Sequence, residues 1–70
     1  MSFEQWVRDN LVIDKYGDAI DWGNDTFTEI NKFVEMFKDV TQDAIDSDGD
    51  VRQVIADNDN GRGFKKLILN

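Results

Sequence analysis

Seventy residues carrying 15 acidic and 8 basic side chains, with no cysteine and no histidine, describe one small acidic domain. A domain of this size buries only about 60% of the surface its unfolded chain exposes, which leaves little room for a deep substrate cavity. The missing residue types exclude disulfides, thiolate zinc sites, thiol nucleophiles and imidazole bases, while the net charge of −7 disfavours direct binding to nucleic acid or anionic lipid.

The amino terminus lacks a basic stretch followed by an apolar core, and no apolar run approaches the roughly 18 residues that span a bilayer. The chain therefore reads as soluble and intracellular, that is cytoplasmic, with no membrane partner. Trp6, Trp22, Tyr16 and five phenylalanines supply much apolar area for so short a chain, which argues for a packed fold rather than an acidic disordered one. Ser2 followed by Gln5 matches a capping box, and Phe3, Trp6, Val7 and Leu11 fall on one helical face. A first helix is expected from Phe3. Its end is open between two readings: continuation through Leu11-Val12-Ile13 to Tyr16 with Gly17 as left-handed cap, which is the expectation, or a short strand. Asp18 to Trp22 reads as a connector whose Ile20 and Trp22 plug one end of the core.

Thr26 and Glu29 form a second capping-box pattern, and Phe27, Ile30, Phe33, Val34, Phe37, Val40, Ala44 and Ile45 recur at the spacing of one buried stripe. The spacing predicts a long helix from Phe27 to about Asp46, with Gly49 closing the turn behind it. Beyond Gly49 the residues become β-branched (Val51, Val54, Ile55). A polar run from Asp57 to Gly63 and an apolar run from Phe64 to Leu69 follow. Asn60-Gly61 is a strong type I′ turn signal, so the pattern predicts a C-terminal hairpin, with its register open. The expected fold is α+β: two helices packed against a C-terminal β-hairpin, in a single domain spanning residues 1–70. Its expected core comprises Trp6, Phe27, Ile30, Phe33, Val34, Phe37, Val40, Ile55 and Leu67.

No arrangement of catalytic groups emerges. Ser2 serves as a cap, Ser47 has no neighbouring base to activate it, and a carboxylate pair needs a cleft to raise one pKa. Gly61-Arg62-Gly63 precedes a predicted strand instead of opening a helix, so it makes no phosphate cradle. The chain is expected to be no enzyme and to hold no cofactor.

Charge is the sharper signal. Between Asp14 and Asp50 lie eleven acidic residues against Lys15, Lys32 and Lys38, whereas Arg62, Lys65 and Lys66 form a small basic tail. Asp25, Glu29, Lys32, Glu35, Asp39, Asp43 and Asp46 recur every three or four positions and make one outer stripe, with charges about 5 to 6 Å apart along the axis. That spacing resembles the spacing of phosphates along a nucleic-acid strand. The stripe is also what any amphipathic helix of an acidic protein presents to water. Asp43, Asp46 and Asp48 crowd a helix C-terminus, where the macrodipole disfavours carboxylates; Arg52 and the folded-back Lys65 and Lys66 are the expected compensation.

Asp46-Ser47-Asp48-Gly49-Asp50 begins like a calcium-binding EF-hand loop, making Asp46, Asp48 and Asp50 candidate metal ligands. The register departs from that loop, because Val51 stands where the sharp-turn glycine belongs and Asp57 where a bidentate glutamate belongs. A solvated helix terminator is the preferred reading. In build, a short acidic cysteine-free α+β chain is similar to many small phage and mobile-element proteins that block host nucleases, a similarity of type that no motif carries.

The leading expectation is a small non-enzymatic binding protein that uses Asp25, Glu29, Glu35, Asp39, Asp43 and Asp46 to occlude a basic surface. The partner is expected to be a nucleic-acid-processing protein, inhibited by nucleic-acid mimicry. The alternative is a structural or adaptor protein that associates through Val54, Phe64 and Ile68 on the free face of the hairpin, with homodimerisation as one outcome. Weak calcium binding is the third reading.

Overall fold

Ser2 does cap the first helix: its Oγ accepts the Gln5 N–H at 3.1 Å, and α1 runs Phe3–Asn10 with Phe3 and Val7 buried. The structure, a computed structural model, describes residues 1–69. The helix stops at Asn10, where Leu11 turns extended, so the expected continuation to Tyr16 is overturned. Val12 to Asp14 instead lie beside the next strand. The Asp21 N–H donates to Val12 O at 2.7 Å and the Asp14 N–H to Ala19 O at 2.8 Å, bracketing the Ile13–Ile20 bridge.

The hairpin precedes the long helix. Strands β1 (Ala19–Gly23) and β2 (Thr26–Glu29) pair antiparallel, with Ile20 opposite Thr28, Asp21 opposite Phe27 and an irregularity between Asp21 and Gly23. Asn24 and Asp25 both have positive φ (53° and 60°), as a two-residue type I′ turn requires. The Trp22 indole N–H donates to the Thr28 hydroxyl at 2.9 Å, so the half-buried ring is satisfied within the hairpin. Thr26 and Glu29 are therefore strand residues and form no capping box. Phe27 is 55% exposed instead of in the core.

The long helix α2 runs Ile30–Asp46 and buries Ile30, Phe33, Phe37 and Thr41. Val40 is exposed, and Thr41, on the other flank of the Ile30-Phe33-Phe37 stripe, is the buried residue instead. Thr41 donates its hydroxyl to Phe37 O at 2.7 Å, which makes that polar position compatible with complete burial. The helix ends in a Schellman arrangement: Gly49 N–H to Ala44 O at 2.6 Å, and Asp48 N–H to Ile45 O at 3.3 Å. Asp48, not Gly49, takes the left-handed position, with φ 59°.

The expected C-terminal hairpin is two short helices, α3 (Val51–Asp57) and α4 (Phe64–Ile68). Asp50 caps α3 by accepting the Gln53 N–H at 3.1 Å, and the spacing of Val51 and Ile55 puts both on the buried face. Asn60 and Gly61 do have positive φ, and the Arg62 N–H donates to Asp59 O at 3.1 Å. The tight turn forms where its residues predict, but it joins two helices. Asp59, only 5% exposed, accepts the N–H groups of Gly63 and Phe64, both at 3.0 Å, on its two carboxylate oxygens.

The α+β character stands, then, with four helices among the described residues and a hairpin that precedes the long helix. Phe33 is the hub of the core, with ring centroids 5.1 to 5.9 Å from those of Phe3, Trp22, Phe37 and Phe64. Ile55 is buried as expected; Trp6 and Val34 are partly buried against this cluster, and Leu67 is 38% exposed. No helix among the described residues is long and apolar enough to cross a membrane.

Candidate partner-binding surface

Residues three and four apart share a helix face, and α2 keeps Glu35, Asp39, Asp43 and Asp46 exposed on that spacing. At 1.5 Å rise per residue, the four carboxylates are strung over about 16 Å of a 17-residue helix whose opposite side is buried. Asp25 and Glu29 do not extend this rod. Asp25 sits in the hairpin turn, and Glu29 is the last residue of β2 and the N-cap of α2, making no side-chain capping bond.

Local neutralisation of the stripe is slight. Among the described residues there are two ion pairs, Lys38 with Glu35 at 3.2 Å and Arg8 with Glu4 at 3.4 Å, and all four side chains are exposed. Pairs of that kind are worth about 0–1 kcal/mol and are screened by salt. Asp39 and Asp43 have no cationic neighbour there, and Asp46 accepts only the Gln42 amide at 3.0 Å.

The expected compensation by Arg52 does not occur. Its Nη1 donates to Ile68 O at 3.2 Å and its Nη2 to Asn10 O at 3.0 Å, while the guanidinium lies 5.7 Å from the centre of the Trp6 ring. The cation is thus spent on the carboxyl ends of α1 and α4, where carbonyls lack helical partners. Lys65 and Lys66 are exposed on α4 and pair with no carboxylate among the described residues. The C-terminal end of α2, carrying Asp43 and Asp46, has no basic residue in its last turn. Apart from Glu35, which pairs with Lys38, the carboxylates of the row form no ion pair among the described residues and present a negative field outward.

The other candidate residues are placed differently. Val54 is half-buried in α3, Ile68 is buried, and Phe64 packs 5.8 Å from Trp22, 5.4 Å from Phe33 and 5.9 Å from Phe37. Phe64 and Ile68 serve the interior, because helical geometry turns them to one face. A free hairpin face at these positions does not exist. Asp46, Asp48 and Asp50 are also separated in role: one is bonded to Gln42, one adopts the left-handed turn, and one caps α3. No group of three acidic residues among the described residues is arranged to hold a metal ion.

A feature outside the expected set lies beside the hairpin. Ile13, Asp14, Lys15, Tyr16, Asp21 and Phe27 line an open groove of about 330 Å³. Tyr16 is 74% exposed and Phe27 is 55% exposed. Thr26-Phe27-Thr28 alternates as a half-buried strand does, and that period-two signal could have placed Phe27 outside the helical stripe.

Compared with protein-family models, with curated proteins and with solved structures, the chain matches none.

Proposed function

We propose that the protein is a small non-enzymatic binder that occludes a basic surface of a partner protein with the outer face of α2. The observation that carries this reading is the row Glu35, Asp39, Asp43 and Asp46, exposed on a helix fixed from behind by Phe33 and Phe37, while Arg52 is diverted to backbone carbonyls. A rigid array of fixed charge costs little ordering entropy on association and steers a cationic partner at a distance.

Surfaces that bind nucleic acid are large and basic, since they place Lys and Arg against successive phosphates. The partner is therefore assigned as a nucleic-acid-processing protein, inhibited by competition for its phosphate-binding groove, in the cytoplasm. Asp25 and Glu29, off the rod, act at most as a flank. The test is affinity capture from lysate of the native host at low and high salt, with the wild type and with Glu35→Lys/Asp39→Lys. Both positions are exposed, so thermal melting should be unchanged. The reading expects a partner retained at low salt, released as salt rises, lost with the double variant and displaced by duplex DNA or RNA. Salt-independent capture, or capture indifferent to the charge reversal, refutes it.

A further inference from the structure

The groove beside the hairpin combines two things that the acidic face of α2 lacks, an apolar floor and two exposed aromatic rings, with carboxylates that have spare acceptor capacity. Asp14 uses one oxygen, Oδ1, to accept the N–H groups of Tyr16 and Asp18 at 3.2 and 3.0 Å. Asp21 uses one, Oδ1, to accept the Gly23 N–H at 2.8 Å. The second oxygen of each has no protein donor among the described residues, so both loops are held rigid while an acceptor remains free. Lys15 lies 5.0 Å from the centre of the Tyr16 ring, the chain's own cation on that aromatic face. Asp21 also borders a neighbouring depression that includes Val12 and Leu67, and both of these are exposed.

We infer that this groove binds an extended segment of a partner protein that presents an arginine or lysine side chain beside an apolar one. The face of Phe27 takes the cation's methylene stem, the Tyr16 ring, whose face holds Lys15, walls the groove, Asp14 and Asp21 supply the acceptors, and Val12 with Leu67 receives the apolar neighbour. Charge complementarity selects this occupant. A second copy of the chain would bring a net charge of −7 against −7 and set Asp14 and Asp21 against their own kind. Anionic lipid and nucleic acid are repelled on the same ground. A volume of about 330 Å³ lies at the bottom of the range for ligand pockets, which suits side chains better than a cofactor. The inference rests on the reading of the protein as a binder of basic surfaces, and it adds a second, short-range contact to the long-range field of α2.

The probe is the peptide acetyl-Leu-Arg-Leu-amide, titrated into the isotopically labelled full chain and followed by NMR, with the isosteric neutral peptide acetyl-Leu-citrulline-Leu-amide as control. Saturable shifts are expected at Tyr16, Asp21 and Phe27, with the citrulline peptide at least five-fold weaker. Tyr16→Ser and Phe27→Thr should each weaken binding at least five-fold at unchanged melting temperature, since both side chains are mostly exposed and threonine keeps the strand propensity of β2. Equal binding of the two peptides, shifts confined to residues 35–46, or indifference to both substitutions overturns the inference. Glu35→Lys/Asp39→Lys should leave peptide affinity within about two-fold, because those charges lie on another element and are screened over about 10 Å in 0.1 M salt. Failure at the groove with salt-sensitive capture through α2 intact therefore sinks this inference alone, and the converse result sinks only the α2 reading.

Discussion

Replacing Asp59 by alanine should remove a large part of the protein's stability. Its carboxylate is 5% exposed and accepts the Gly63 and Phe64 N–H groups, each at 3.0 Å, fixing the start of the helix that delivers Phe64 to the aromatic cluster. A hydrogen bond to a charged group contributes about 1.5–3 kcal/mol, and loss of a helix cap alone costs about 0.5–2 kcal/mol. These overlap, because both describe the same two donors, so Asp59→Ala is expected to cost about 2–3 kcal/mol. A chain of 70 residues has a total stability of about 4–10 kcal/mol at typical values per residue. The melting temperature should fall by about 10–20 °C on the usual scaling for small domains. Asparagine keeps one acceptor oxygen and should lose about half as much. Urea unfolding followed by far-UV circular dichroism measures both. A loss under about 0.5 kcal/mol for alanine would refute the buried capping role. It is the value expected if residues 51–69 formed a hairpin with Asp59 exposed opposite Arg62.

Asp48→Gly should stabilise by about 1 kcal/mol in thermal melts, because glycine adopts the left-handed φ of 59° without strain and removes a carboxylate from the C-terminal end of α2; a destabilised variant contradicts the Schellman geometry. Phe33→Ala should cost about 3–5 kcal/mol, enough to leave much of the population unfolded, whereas Val40→Ala on the same helix, at a position 41% exposed, should cost under about 1 kcal/mol. Similar losses at the two sites would show that the helix is phased otherwise.

Local signals were legible where one short-range interaction decides the conformation. Ser2 with Gln5 marks the start of α1 correctly, Ile30, Phe33 and Phe37 mark the buried side of α2, and Asn60-Gly61 marks a tight turn. What failed depended on partners distant in sequence. Phe27 is three residues before Ile30 and so continues a helical stripe, yet it belongs to a strand because residues 19–23 pair with it; Val40 and Thr41 lie on opposite flanks of the α2 stripe, and tertiary packing buries Thr41. At Val51, Val54 and Ile55, β-branched composition favoured a strand. Their spacing of three and four was already helical, and the Asp50 cap settles the matter. Of the candidate site, the exposure of Glu35, Asp39, Asp43 and Asp46 followed from periodicity alone. Loss of Asp25 and Glu29 from the rod, and of Phe64 and Ile68 from any outer face, follows directly from the misplaced hairpin. The groove at Tyr16 was invisible because it is assembled by the bridge between Ile13 and Ile20.

Arg52 joins Asn10 to Ile68 through one guanidinium, so the first and last helices share a single clasp. The clasp is complete only when α4 is in place. Without α4, Arg52 keeps only its bond to Asn10 O, and the aromatic cluster lacks Phe64. One side chain thus couples the carboxyl ends of α1 and α4, so loss of α4 removes a carbonyl from the clasp and a ring from the core together.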